Sequence, residues 1–137
     1  MNDLFANLYE LITGQTDLAN ELYNSEAVYV PVGWCMVLLS LIGMIVYYYL
    51  INHPRFNRWY HWLLMVLVVC LINFGIAYFR ANDAIDSMYA EQNQDSPFSA
   101  MEFISFSMAN ALWTFVFSFA FSIGIKWKSR NASRTPF

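Results

Sequence analysis

Charge is what this sequence has least of. Only 12% of its 137 residues are Asp, Glu, Lys or Arg, against roughly 25% in soluble globular domains. Set beside 58% hydrophobic and 19% aromatic residues, that shortage excludes a soluble monomer. Seven basic residues against ten acidic ones leave a formal charge of −3. A nucleic acid, which is gripped through a basic surface, is therefore excluded as a partner. Two cysteines and two histidines, with neither C-x-x-C nor a paired His spacing among them, are too few soft ligands for a zinc module.

Catalytic parts are equally scarce. A reaction centre needs a nucleophile with a base, paired carboxylates or a metal, yet no Asp or Glu falls inside the long apolar runs. His53 belongs to a turn and His61 to the helix start after it, whereas a transmembrane haem wants histidines facing each other within the bilayer. Nor is there a Gly-rich phosphate loop, an arginine series or a lipidation motif. The expectation is a non-catalytic chain with no metal and no cofactor.

What is present is apolar length. Ala27 to Ile51 is 25 residues without a charge, Trp59 to Phe79 is 21 and Phe103 to Ile125 is 23. At about 1.5 Å per residue each makes a helix of roughly 30 Å or more, the thickness of a bilayer's hydrocarbon core. Three transmembrane helices over 28–51, 59–80 and 100–126 follow. The fold class is an all-α integral membrane protein. A soluble bundle of three buried helices would keep a polar face on each, and these runs show almost none.

The flanking charges give the spans a direction. Arg55 and Arg58 lie between the first two, and Lys126, Lys128, Arg130 and Arg134 follow the third. All ten acids fall on the opposite side, before the first span or between the second and third. Under the positive-inside rule the amino terminus is outside and the carboxyl terminus cytoplasmic. The first 26 residues contain no Lys or Arg, so no cleavable signal is expected and the first span acts as the insertion signal. A bacterial inner membrane suits so short an exported tail, with an endoplasmic-reticulum or organellar membrane as the alternative. The Asn131-Ala132-Ser133 triplet falls on the cytoplasmic side and says nothing of glycosylation.

The domains read as an extracytoplasmic amphipathic segment, 1–26, and a three-helix bundle, 27–137, with an outer loop at 81–99 and a basic tail at 126–137. Leu4, Phe5, Leu8, Leu11 and Ile12 recur at helical spacing before Gly14, and Leu18 and Leu22 resume the pattern. This predicts a short amphipathic helix on the outer interface, the alternative being a frayed tail. Asn52-His53-Pro54 stops the first span, and Asn57 is placed to cap the second. Tyr47, Tyr48, Tyr49, Trp59, Tyr60 and Trp62 surround that turn as an aromatic belt. One or two helical turns are expected within 82–92, with Pro97 ending them. Ser99 and Glu102 stand at capping-box spacing before the third span. Cys35 and Cys70 lie inside spans as reduced packing residues.

Polar residues inside spans carry the functional candidates. Advancing 100° per residue along the third span puts Ser107, Asn110, Ala111, Thr114, Ser118 and Ser122 within an arc of about 120°, with Phe121 intruding. The opposite face holds Leu112, Val116 and Ile123, with Trp113 and Ala120 beside them. Asn73 is the strongly polar residue of the second span; Gly33 and Ser40, and less well aligned Gly43, let the first approach closely. Ser107, Asn110, Thr114, Ser118, Ser122, Asn73, Ser40 and Gly33 are thus candidate helix–helix or partner contacts. Lys126, Lys128 and Arg130 are candidate contacts to anionic lipid, each gaining about 1 kcal/mol near such a surface.

The stripe either packs inside one protomer or is left partly uncovered by two partner helices and meets another subunit, of the same chain or a different one. The second course predicts a structural or assembly subunit of a larger membrane complex, in settings such as an envelope secretion or injection apparatus or a respiratory complex. A homo-oligomeric pore with the third span lining it is the alternative, since three helices enclose no channel alone.

Overall fold

Long apolar runs become long helices, and the described residues form five α-helices. The computed structural model describes residues 2–14, 16–24, 28–50, 58–92, 94 and 96–126, and no strand occurs among them. The helices are α1 (Asn2–Thr13), α2 (Asp17–Asn24), α3 (Tyr29–Ile45), α4 (Trp59–Glu91) and α5 (Ala100–Lys126). A single π-helical turn, Val46–Leu50, extends α3. Counted with that turn, α3, α4 and α5 are each long and apolar enough to cross a membrane.

The three long helices match the three uncharged runs. α5 covers 100–126 as read from the sequence, and α3 with its π turn ends within a residue of 28–51. α4 departs from expectation, running 33 residues without interruption to Glu91. At 1.5 Å per residue it is about 50 Å long, well beyond a hydrocarbon core. Most of the loop expected at 81–99 is thus continuous helix, and it stops at Glu91, well short of Pro97. Ala81, Ala84 and Ala90 are strong helix formers, Asn82 Nδ2 donates to Asp86 Oδ2 one turn on (2.6 Å), and Ala81 and Ile85 are fully buried. At the start of α4 the N-cap is Arg58, in extended conformation and with no side-chain cap. Asn57, the turn at 52–54 and Arg55 lie outside the described residues.

The surface, unlike that of a soluble protein, is strongly apolar, and polar side chains gather in a mainly apolar interior. Leu38, Ile42, Leu64, Leu67, Leu71, Phe79, Leu112, Val116 and Ile123 are exposed, whereas Ser40, Asn73, Ser107, Asn110, Thr114, Ser118 and Ser122 are wholly buried. Apolar side chains outward and polar ones held inside is the arrangement a hydrocarbon solvent selects, because polar groups there must find partners within the protein. The chain has the make-up of a multi-pass membrane protein.

The N-terminal segment is more than one amphipathic helix. Gly14, at φ +72°, takes the left-handed conformation that closes α1, its N–H bonding the Glu10 carbonyl (2.8 Å). α2 then returns, and Tyr23 OH donates to Asp3 across the pair. α1 packs on α3 and α5, and α2 on α4. Of the apolar stripe read from the sequence, Phe5 is buried and Leu8 half-buried, while Leu4, Leu11 and Ile12 stay exposed. α1 therefore shows three sides: Phe5, Ala6 and Tyr9 toward the bundle, Leu4 and Leu11 outward, and Asp3 and Asn7 exposed on a polar side.

Candidate functional site

The polar stripe of α5 is the structural centre of the bundle, and the chain's own helices cover every polar residue of it, leaving Ala111 half-buried. The expectation that two partner helices leave part of it open is corrected, since Ser107, Asn110, Thr114, Ser118 and Ser122 are each 0% exposed. The sequence reading counted two coverers; α1 is a third.

At the α1 level, Tyr9 OH donates to Asn110 Oδ1 (2.7 Å) and Asn110 Nδ2 donates to the backbone carbonyl of Asn73 (2.9 Å). Asn110 thus bridges α1 to α4. The ring of Tyr9 packs against those of Phe106 and Tyr29. Burial, reinforced by nearby Tyr29 and Cys35, pushes the Tyr9 phenol well above its ordinary range, so it remains a neutral donor. Trp113 Nε1 donates to the Leu8 carbonyl (2.6 Å), giving a second α5-to-α1 tie. Gly33 of α3 leaves the room that Phe5 fills: a Cβ there would come 2.3 Å from the Phe5 ring.

Further along, Ser40 Oγ donates to Met36 O (2.7 Å) and meets Thr114 O at 3.4 Å. Thr114 and Ser107 hydroxyls donate to the carbonyls of Asn110 and Phe103, four residues back, which satisfies them within α5. Cys70 Sγ reaches Ala111 O at 3.5 Å. At the far end Tyr48 OH and Ser122 Oγ share a hydrogen bond, and Trp62 Nε1 donates to the same oxygen (3.1 Å). Among the described residues only Asn73 Oδ1 and Ser118 Oγ of this seam have no hydrogen-bond partner. Asn73 contributes chiefly its backbone: its amide donates to Val69 O at 3.3 Å.

The seam recasts two surface readings. Tyr47, Tyr48 and Trp62, counted in the aromatic belt, are buried, leaving Tyr49, Trp59 and Tyr60 exposed. Trp113, set beside the lipid-facing side, is half-buried against α1, while Leu112, Val116 and Ile123 are exposed as expected. Tyr9, Tyr48 and Trp62 join the seam without a mark in the sequence, because nothing in spacing separates a buried aromatic residue from an interfacial one.

The remaining candidates sit away from the seam. Lys126 ends α5 half-buried, and Lys128 and Arg130 lie outside the described residues. Glu102 Oε2 accepts from the Ser99 N–H (2.8 Å), the back-reaching half of the expected capping box; the Ser99 hydroxyl turns to that same carboxylate (3.3 Å). His61 is half-buried in the first turn of α4. Among the described residues no three His, Cys, Asp or Glu side chains gather as a metal site.

Fold and seam define the class: an all-helical, multi-pass membrane chain with an interior locked by hydrogen bonds. Comparison with protein-family models, with curated proteins and with solved structures finds no match.

Proposed function

We propose that this chain is a non-catalytic structural or assembly subunit of a larger membrane complex. One observation carries the reading: most polar groups of the membrane interior are satisfied within the chain, from Tyr9–Asn110 to Tyr48–Ser122–Trp62, with Asn73 Oδ1 and Ser118 Oγ the exceptions among the described residues. Among the described residues, an apolar rim, the polar side of α1 with Asp3 and Asn7, and the long end of α4, where Asp83, Asp86 and Glu91 are exposed, face other molecules. Such a chain has shape and surface to offer rather than reacting groups. Its contacts within the complex run through the rim, not the seam.

The same reading takes the positive-inside rule at face value: amino terminus outside, carboxyl terminus cytoplasmic, in a bacterial inner membrane. The pore reading has no comparable observation behind it, since lining a path would require the stripe to be uncovered.

Gentle solubilisation from the native membrane followed by mass measurement tests the proposal. A stoichiometric complex with one or more different membrane proteins is the expected result; a stable lone monomer without co-purifying protein contradicts it. A reporter fused after Phe137 should be active only in the cytoplasm, and activity confined to the outside overturns the orientation.

A further inference from the structure

Where the turn between α1 and α2 meets the start of α5, the surface encloses a cavity of about 130 Å³ lined by Thr13, Thr16, Leu18, Ala19, Leu22, Glu102, Ser105 and Phe106. Four of these residues are apolar and four polar. The hydrogen bonding of the polar four is one-sided. The Thr13 hydroxyl already donates to Tyr9 O (3.0 Å) and that of Ser105 to Met101 O (2.9 Å), so both present lone pairs. Glu102 uses Oε2 toward Ser99, and Oε1 takes no bond among the described residues. Thr16 Oγ1 accepts from Ala19 N (3.2 Å) and alone keeps a proton to give. Three acceptors, one of them a carboxylate, select a ligand that is cationic and rich in N–H donors.

Position narrows the ligand further. Glu102 stands in the first turn of a membrane-spanning helix, the level at which headgroups meet protein. The neighbours of the lining residues, Leu11 and Ile12 on α1 and Met101, Ile104 and Met108 on α5, are exposed and apolar, as acyl chains require. A volume of this size holds a ligand fragment of about six heavy atoms, the scale of benzene in an engineered cavity of similar volume. It has no room for an acyl chain.

We propose that this cavity takes the primary ammonium of an aminophospholipid headgroup, with Glu102 as counter-charge and Thr13 and Ser105 as further acceptors. Phosphatidylethanolamine brings three N–H donors. The trimethylammonium of phosphatidylcholine carries the same charge and none, so the cavity discriminates between two lipids of equal charge.

The test uses the full chain in nanodiscs holding equal parts of the two lipids, with native mass spectrometry counting those retained after detergent exchange. Wild type should retain phosphatidylethanolamine over phosphatidylcholine by about fivefold or more, as hydrogen bonds to a charged group allow. Glu102→Gln, which keeps an oxygen for the Ser99 N–H, should abolish the preference. Ser105→Leu, which adds bulk at an exposed lining position and leaves the carboxylate in place, should do the same. Circular dichroism and the unchanged mass of the chain separate loss of the site from loss of fold. Equal retention of both lipids by wild type, or a preference that survives Glu102→Gln, overturns the proposal. Binding of soluble phosphoethanolamine without a lipid preference overturns it too, by assigning the cavity to a free amine.

Discussion

Asn110 and Asn73 are the two amides of the membrane interior, and the structure gives them unequal work. Asn110 accepts from Tyr9 and donates to the Asn73 carbonyl, while the Asn73 side chain makes one bond to its own helix and leaves Oδ1 without a partner. Asn110→Leu therefore strands the Tyr9 hydroxyl and removes the second bond to the Asn73 carbonyl, which keeps its helical partner, and should cost about 1–3 kcal/mol, since a buried group left unpaired loses its solvation without return. Asn73→Leu removes a poorly satisfied amide and should cost under about 1 kcal/mol. Unfolding by graded denaturing detergent, followed by circular dichroism, compares the two; equal losses contradict the assignment. Both asparagines were legible in the sequence as intramembrane polar residues, but their inequality was not. The acceptor at position 73 is a main-chain oxygen, which leaves no mark in side-chain spacing.

Tyr9 offers a pH test at the same scale. Its folded-state phenol titrates above its unfolded value because burial disfavours the phenolate. The stability it brings is complete below about pH 10, the ordinary tyrosine value, and is lost as pH rises beyond it. Tyr9→Phe should cost about 1–2 kcal/mol at neutral pH and should flatten the loss of stability between about pH 10 and 12. An unchanged alkaline slope in the variant contradicts the role.

Among the elements, α1 is the one whose place the sequence left open. Its heptad-like apolar residues said helix, and Gly14 said stop, but amphipathicity serves a lipid surface and a protein groove alike. Two features settle α1 against the bundle: the missing side chain at Gly33, into whose place Phe5 fits, and the Trp113 bond to Leu8 O. Gly33→Ala should push α1 off α3, because its Cβ would lie 2.3 Å from the Phe5 ring. A cysteine at Tyr9 would then react quickly with a maleimide, in a background lacking Cys35 and Cys70. Adding Phe5→Ala should restore protection, as the two changes act on one contact. Fast labelling in the wild-type-like background, or no rescue, overturns the docking of α1. At Gly43 the close neighbour is Val69, whose Cγ2 would lie 2.7 Å from an added Cβ, so Gly43→Ala should separate α3 from α4 and Val69→Ala should compensate. The three spans were readable because each is a charge-free run longer than a bilayer is thick. The extension of α4 to Glu91 was not, because its last turns are polar outside and held inside by Ala81 and Ile85 against α2.

For the molecule as a whole, the division of charge along the sequence and the apolar surface point the same way: a chain whose solvent is lipid, with its polar groups turned inward. From sequence alone the stripe of α5 either packs inside one protomer or, with two helices to cover it, leaves a gap for another subunit. α1 closes that gap through the Tyr9–Asn110 and Trp113–Leu8 hydrogen bonds, and the polar residues of the stripe are fully buried. A sealed seam has a direct test. Single cysteines at Asn110, Thr114 and Ser118, in the background without Cys35 and Cys70, are exposed in native membranes to a membrane-impermeant thiol reagent applied from both sides. Protection at all three until denaturant is added is the predicted result; rapid labelling along the stripe in folded protein would contradict a closed interior and make it the lining of a water-filled path.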